Sequence, residues 1–556
     1  RRVQSEGLFA AGYVSYEASP GFDAACVTQR RGALPLVCLG LFREPDRPRQ
    51  LPRPEGPGVL HQWSFSGTRE NYLATVGKIK RQIEVGNTYQ VNYTIRQHAR
   101  EVHDAWALFL AMATDAPYAA YIDCGDHAIV SASPELFFEL KGDRLLCRPM
   151  KGTAPRGMTA AEDKERRCQL HESAKDRAEN VMIADMVRND LGRIAMPGSV
   201  QTPSLYDIEK YRTVWQMTST VTASTKSSVC DVLRALFPSA SVTGAPKVAS
   251  MKLIAALEDS PREVDTGAIG YLGPGRHARF NVAIRTAVID RRTRTGVYGV
   301  GGGIVWDSNP EDEFQECVNK ARVLAETRAH TGFSLLETML WTADRGFLLL
   351  DEHLARLEAS AGYFDFPFNR AAIEAELAAT GVAQAPGQKY RLRLLMARNG
   401  DIQTEVQALC EGDAGRQWRL ALANSPVDTR DAFLYHKTTR RDVYENALAA
   451  AGNCDDVLLW NEDGYITETG IGNVVVRLAG RLWTPPVECG LLAGTFRGKL
   501  LREGVLGLRK VAVTELAEAE AIFLINSVRG WISCRLAHPE TDFKRASSNG
   551  ATGRSG

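Results

Sequence analysis

Residues 88–96 read Thr88-Tyr89-Gln90-Val91-Asn92-Tyr93-Thr94-Ile95-Arg96, an alternation with the period of a β-strand. Tyr89, Val91, Tyr93 and Ile95 fall on one face. Gln90, Asn92, Thr94 and Arg96 fall on the other, which is polar enough to line a site. Upstream, Thr68 is placed to cap a helix in which Tyr72, Val76, Ile79 and Ile83 recur at helical spacing, ending at Gly86. Downstream, strand-like runs at 118–122, 136–140, 279–289 and 297–306 are separated by helical stretches without regular alternation. That pattern predicts an α+β fold rather than a doubly wound sheet.

A helical segment over 310–329 closes this region, and a new strand-like start appears at Phe333-Ser334-Leu335-Leu336-Glu337-Thr338-Met339. A module boundary is therefore expected near Gly332, with modules over 1–330 and 331–538. The prolines between Pro45 and Pro57 mark an exposed connection. The polar, Gly/Ser-rich residues 539–556 are expected to be a disordered tail.

With 556 residues the chain is long enough for two or more domains, and a small disulfide scaffold is excluded. Its 67 basic and 66 acidic residues are interleaved, so nothing marks a nucleic acid partner. No apolar run reaches the roughly 18 residues that a membrane span needs. The 11 cysteines are scattered singly without a CxxC pair, which argues against zinc and for a reducing, cytoplasmic setting. The opening residues, Arg1 to Glu6, contain neither a Met nor an apolar signal core.

Glu313 and Glu316 lie i, i+3 on the closing helix with Lys320 a turn beyond, and Glu179 is a third acid in the helical stretch from Lys175 to Met182. Converging hard oxygens of this kind suit Mg²⁺, although two such glutamates also make an ordinary solvated face. Gly299, Gly301 and Gly303 are evenly spaced and no helix follows them directly, so a dinucleotide loop is disfavoured. Such glycines bare backbone N–H groups to a carboxylate, and Arg285, read as lying on the preceding strand, would grip the same group. The pattern also suits a tight strand crossing beside a surface arginine.

Five motifs in order, Ser133-Pro134-Glu135-Leu136-Phe137, Pro149-Met150-Lys151-Gly152-Thr153, Asp176 to Met182, Thr243-Gly244-Ala245-Pro246-Lys247 and Glu313 to Lys320, resemble the chorismate-utilising enzymes. That family contains anthranilate synthase, isochorismate synthase and aminodeoxychorismate synthase component I. The resemblance covers roughly residues 7–328 and implies packed, largely antiparallel sheets flanked by helices. It also implies that Lys151, where anthranilate and isochorismate synthases typically carry Ala, adds to C2 of chorismate as the 4-hydroxyl leaves. Ammonia then attacks C4. An ammonium cannot attack, so Lys151 is expected to be desolvated or held near another cation.

By the same resemblance Glu135 protonates the departing hydroxyl, and Glu179, Glu313 and Glu316 hold Mg²⁺. Arg285, Thr243, Gly244, Gly302, Gly303 and Lys320 are then the substrate contacts. Gln90 stands where isochorismate synthases place a lysine base, so water addition is disfavoured. Two departures stand out: Val214-Trp215-Gln216-Met217 lacks a histidine that many relatives carry after the valine, and the N-terminal part is short of the segment in which relatives bind tryptophan. Feedback by tryptophan is accordingly not expected. No glutamine-hydrolysing nucleophile elbow is visible, which leaves solution ammonia or a separate glutamine amidotransferase subunit as the nitrogen source.

In the second module, His353-Leu354-Ala355-Arg356-Leu357, Lys437 within Leu434 to Arg440, Glu468 within Gly464 to Gly470, Gly490 to Thr495 and Asn526-Ser527-Val528 follow one another. Their order is similar to that of class IV aminotransferases, over residues 333–535, and implies an α/β fold that binds pyridoxal 5'-phosphate. Lys437 would carry the cofactor, Glu468 would pair with its ring nitrogen, and Arg356, Thr495 and Ser527 would hold its phosphate. Class IV folds usually dimerise, so a homodimer through this module is expected. Lyases and transaminases share this cofactor site, and the neighbouring module favours a lyase that releases pyruvate to give 4-aminobenzoate. The rival readings are an anthranilate synthase-like enzyme fused to an aminotransferase and a non-catalytic scaffold for a glutaminase.

Overall fold

The computed structural model describes residues 2–48, 51–52, 62–113, 116–324, 332–385, 387–409 and 416–537. The expected tail, most of the proline-rich connection and the end of the 310–329 segment lie outside them. The chain divides into two compact units. One is formed by Arg1–Arg156 and Arg166–Ala329, the other by Gly157–Glu165 and His330–Gly556. The short Gly157–Glu165 segment, read from sequence as part of the first module, belongs to the second because Met158 packs on the apolar core around Leu420, Val457 and Leu458.

Among the described residues the first unit holds a nine-stranded and a seven-stranded sheet, and every strand pairing in them is antiparallel. The first sheet is built on neighbouring strands Leu136–Lys141 and His277–Val282. Phe138 and Phe280 face each other across that pair with ring centroids 5.3 Å apart, both almost fully buried. Burying a side chain of this size contributes roughly 1.5–3 kcal/mol. The second sheet centres on Gln90–Ala99 and Thr295–Ile304. Here the alternation at 88–96 becomes a strand buried on both faces, one packed in the core and the other turned to a cavity.

The helix Arg69–Glu84 starts at Thr68, whose hydroxyl accepts the Asn71 N–H at 3.3 Å, and buries Tyr72, Val76 and Ile79. Helices Ala174–Gly192 and Pro310–Ala321 carry the acidic motifs. The last of these is shorter than the sequence suggests, since a 3₁₀ turn, Arg322–Leu324, follows at once.

The run at 279–289 is two strands rather than one. His277–Val282 belongs to the first sheet and Thr286–Asp290 to the second, and the chain crosses between sheets at Ala283-Ile284-Arg285. Arg285 sits at the crossing with φ +51 and is therefore not on a strand. A left-handed conformation in a residue with a Cβ costs on the order of 1–2 kcal/mol, here within a crossing tied down by Thr266 N–H to Ala283 O and Ala283 N–H to Gly267 O.

The second unit joins a four-stranded antiparallel sheet around Leu335–Thr342 to an eight-stranded mixed sheet. Trp418–Leu422 is its parallel centre, flanked by Asp456–Trp460 and Gly530–Leu536. Asp456–Trp460 is buried throughout, as a parallel strand covered on both faces requires.

Candidate active sites

In the first unit a cavity of about 350 Å³ opens over the strands Gln90–Ala99 and Thr295–Ile304. The pairing of Thr295–Ile304 with Thr286–Asp290 ends at Tyr298, so beyond it one backbone edge of the glycine run faces the cavity. The glycines are there for space. A Cβ at Gly303 would collide with Lys151 Nζ and lie 2.8 Å from Gln90 Nε2, and one at Gly302 would lie 3.1 Å from Glu313 Oε2.

Lys151 belongs to the short strand Met150–Pro155, paired with Val214–Ser224. Its carbonyl accepts from Asn180 Nδ2 at 3.0 Å, and Gln216 Nε2 donates to the next carbonyl, Gly152 O, at 2.7 Å. Gly152 itself has φ +93. Both anchoring side chains escaped the sequence reading, although Gln216 lies in the stretch noted as a departure. It lines the cavity, whereas Trp215 stacks beside Arg156 at 5.1 Å. Lys151 acts electrostatically on the carboxyls of Glu135, Glu179, Glu313 and Glu316, so acids surround an amine for which the sequence led us to expect either desolvation or a neighbouring cation.

Glu135 stands at the start of strand Leu136–Lys141, only 3% exposed, with Oε1 accepting from Ser241 Oγ at 2.7 Å. Burial pushes its carboxyl up to about 7, against the pull of Ser241 and Lys151. A carboxylic acid that still carries its proton near neutral pH is a competent general acid.

Glu179, from the longer helix, and Glu313 and Glu316, from the closing helix, line the same cavity. Burial raises Glu179 and Glu313, and the charge of Glu316 raises Glu313 further. Glu316 is held down by Lys320, whose Nζ lies 2.7 Å from its Oε1 and 2.9 Å from Gly301 O. Ser308 Oγ donates to Glu313 Oε1 at 2.7 Å. Among the described residues the acids form no ready ligand cage, because Lys320 and Ser308 engage two of them. As a hard-oxygen donor set with mutual repulsion to relieve, they still fit a hydrated divalent cation.

Arg285 reaches the cavity with no hydrogen bond or ion pair to its guanidinium among the described residues, and burial lowers its basicity. Thr243 and Gly244 are not among the cavity-lining residues. Thr243 Oγ1 donates to Ser239 O at 3.1 Å, and a Cβ on Gly244 would strike Gln90 O. Their neighbours Ser241 and Val242 line it instead.

In the second unit Lys437 follows a 3₁₀ turn and is tied to the strand Leu335–Thr342 by Leu336 N–H to Lys437 O at 3.0 Å. Burial, then the charge of Arg356, lowers its amine to about 8. Glu468, on strand Ile466–Thr469, accepts from Tyr444 Oη at 2.7 Å and Asn473 Nδ2 at 3.2 Å, and burial raises it to about 7. Lys437 interacts electrostatically with Arg356, Glu337, Arg441 and Glu468, so the motifs converge in space.

Arg356, on helix Leu350–Phe364, is clamped by Glu337 through Nε at 2.8 Å and Nη2 at 2.7 Å. Burial pushes the Glu337 carboxyl up, but Arg356 and His353 outweigh it and hold the group down to about 2. His353 Nδ1 meets Glu337 at 2.7 Å and Nε2 meets Thr495 Oγ1 at 3.2 Å, at the first turn of helix Thr495–Arg502. Ser527 Oγ donates to Thr338 O at 3.4 Å, beside Glu337. A fixed arginine, two hydroxyls, an amine of lowered basicity and a buried acid fit pyridoxal phosphate. Glu337, His353 and Tyr444 gave no signal of their own in the sequence.

Residues 1–326 match the family model of chorismate binding enzymes, and residues 334–537 that of class IV amino-transferases. Over 263 residues, 46% of this chain, it is 41% identical to an aminodeoxychorismate synthase component 1 of Salmonella typhimurium, covering 57% of that protein. An anthranilate synthase component 1 of Spirochaeta aurantia is 38% identical over 262 residues, 46% of this chain and 54% of that one. The chain thus spans a little over half the length of these curated relatives. Among solved structures, anthranilate synthase component I from Streptococcus pneumoniae TIGR4 superposes with a TM-score of 0.50 at 25% identity, covering 58% of this chain and 81% of that one.

Proposed function

This chain belongs to the chorismate binding enzyme family, and from that premise we propose that its first unit aminates chorismate to 4-amino-4-deoxychorismate and its second releases pyruvate to give 4-aminobenzoate. The observation that carries the first half is a lysine amine and a buried acid near neutrality facing one cavity. Lys151 Nζ forms a bond to C2, both ring double bonds shift by one position, and the 4-hydroxyl departs as water with the proton of Glu135. Ammonia attacks C4, both double bonds shift back and Lys151 is expelled as the amine. Glu179, Glu313 and Glu316 would hold Mg²⁺, which neutralises the ring carboxylate of the substrate. Arg285 takes the second carboxylate.

Glu135 regains its proton from water between turnovers. Identity to relatives barely separates the aminodeoxychorismate and anthranilate readings, and Lys151 favours the first.

In the second unit pyridoxal phosphate, held by Arg356, Thr495 and Ser527 and paired with Glu468, would supply an electron sink. Lys437 removes the C4 proton and returns one to the enolpyruvyl methylene as pyruvate leaves. Its lowered basicity, about 8, supports that role. The nitrogen source is a separate glutamine amidotransferase, and the second unit brings a homodimer. No helix among the described residues is long and apolar enough to cross a membrane, and the described cysteines are free thiols, which supports a cytoplasmic setting.

Product analysis with chorismate, Mg²⁺ and ammonium, with and without pyridoxal phosphate, tests both halves. 4-Aminobenzoate and pyruvate are expected only with the cofactor, and Lys151→Ala should yield neither. Anthranilate as product would overturn the first assignment. Aminodeoxychorismate persisting with cofactor present would overturn the second.

A further inference from the structure

His353 stands on helix Leu350–Phe364, one turn before Arg356, and is 1% exposed. It has no part in the reaction proposed above, yet its ring is held at both nitrogens. Nδ1 lies 2.7 Å from Glu337 Oε2, and Nε2 lies 3.2 Å from Thr495 Oγ1. Glu337 also takes two bonds from Arg356, whose Nη1 donates to Ala493 O at 3.2 Å, two residues before Thr495. Ser527 Oγ donates to Thr338 O, in the residue after Glu337. The three groups assigned to the cofactor phosphate therefore meet around one Glu337–His353 pair.

The chemistry of the ring decides which way its bonds run. Against the upward push of burial, Arg356 and His353 hold the Glu337 carboxyl down to about 2, so it is ionised and can only accept. Nδ1 must then carry a hydrogen and donate it to Glu337. In a neutral ring Nε2 is bare and can only accept, and the Thr495 hydroxyl spends its proton on His353. A doubly protonated ring reverses that bond. Nε2–H donates to Thr495 Oγ1, and the hydroxyl proton is released to another acceptor. Charge argues the same way, because Arg356 and Glu337 cancel and a phosphate dianion gains a cation only if His353 supplies it. The charged groups facing the ring are Glu337 from the strand and Arg356 from its own helix. Helix Thr495–Arg502 meets it through the uncharged Thr495, Lys437 acts on Arg356 and Glu337 beyond, and Glu352 is paired with Arg502 at 2.7 Å.

We propose that His353 is a positioning residue for the cofactor phosphate, taking up a proton as the phosphate binds and donating to Thr495, which turns the Thr495 hydroxyl toward the phosphate. The proton comes from solvent. Since the protonated form favours binding, affinity is full where the free histidine is already protonated. It falls by at most about tenfold per pH unit as pH rises above that point, until the bound histidine itself loses the proton.

This inference rests on Arg356, Thr495 and Ser527 as the phosphate seat, and one calorimetric titration separates the two. The probe is pyridoxamine 5'-phosphate, which keeps the ring and the phosphate but cannot condense with Lys437. At about pH 8 its phosphate is already a dianion. In buffers of different ionisation heat the wild type should take up close to one proton more than His353→Gln, whose amide is a permanent donor. Proton exchange at the cofactor ring is common to both proteins and cancels in that difference. Thr495→Val should lose the same proton and bind roughly tenfold more weakly or worse, and Thr495→Ser should restore both. No binding by the wild type would sink the phosphate seat and this inference with it. Binding with equal uptake in the wild type and His353→Gln overturns the inference alone, as does undiminished uptake in Thr495→Val. If circular dichroism shows His353→Gln unfolded, the Thr495→Val and Thr495→Ser pair decides.

Discussion

At the scale of single residues, the environment that suits Glu135 to the proposed acid role also weakens the fold. Its carboxyl lies at about 7 in the folded chain against 4.5 for an ordinary glutamate, so the folded state holds the extra proton. Stability is present below 4.5 and is lost as pH rises through 7, at a cost of roughly 3–4 kcal/mol. Glu135→Gln should lower kcat for amination by about 10²–10⁴ while raising the melting temperature at pH 8. In the wild type kcat should fall as pH rises through 7, which a pH–rate profile reads directly. Glu337 is the opposite case, a buried anion fully paid for by two partners. Glu337→Ala strands Arg356 and His353, and a loss of roughly 3–5 kcal/mol in stability, with weaker pyridoxal phosphate binding by equilibrium dialysis, is expected.

At the scale of elements, the cavity floor is two strands, one supplying Asn92 and Thr94 and the other supplying glycines. Gly303→Ala should abolish amination by displacing Lys151, whereas Gly302→Ala, whose new methyl meets Glu313 Oε2 at 3.1 Å, should do less. Circular dichroism should show both variants folded, and the release of pyruvate from supplied aminodeoxychorismate should be unchanged. The helix Ala174–Gly192 presents Glu179 to the cavity and fixes Lys151 through Asn180. The elements themselves were partly legible: the cap at Thr68, a strand over 88–96 and a helical stretch over 175–182 follow from hydroxyl placement and periodicity, and the structure sets them at Gln90–Ala99 and Ala174–Gly192. The break at Arg285 was not, because 279–289 is continuously strand-like and only the second sheet gives it a reason to turn.

At the scale of the whole molecule, the proposed function assigns one chemistry to each of the two units. Chelation with EDTA should stop amination and leave pyruvate release from supplied aminodeoxychorismate intact, with Mg²⁺ restoring the first. Lys437→Ala should reverse the pattern, so that chorismate and ammonium accumulate aminodeoxychorismate, resolved by chromatography. Loss of both activities in either experiment would contradict the assignment of one site to each unit.

The sequence by itself determined which candidate reacting groups the chain owns. Lys151, Glu135, Lys437, Glu468 and the glycine run are legible because they sit in short motifs that resemble those of known families. What the tertiary structure alone decided is the company those groups keep. Asp265 faces Gly299, Asn180 reaches the carbonyl of Lys151, and Glu337 meets Arg356 and His353 across long stretches of chain. A carboxyl becomes an acid at neutral pH or a clamp according to its burial and its neighbouring charges, and those are set only when distant segments pack together.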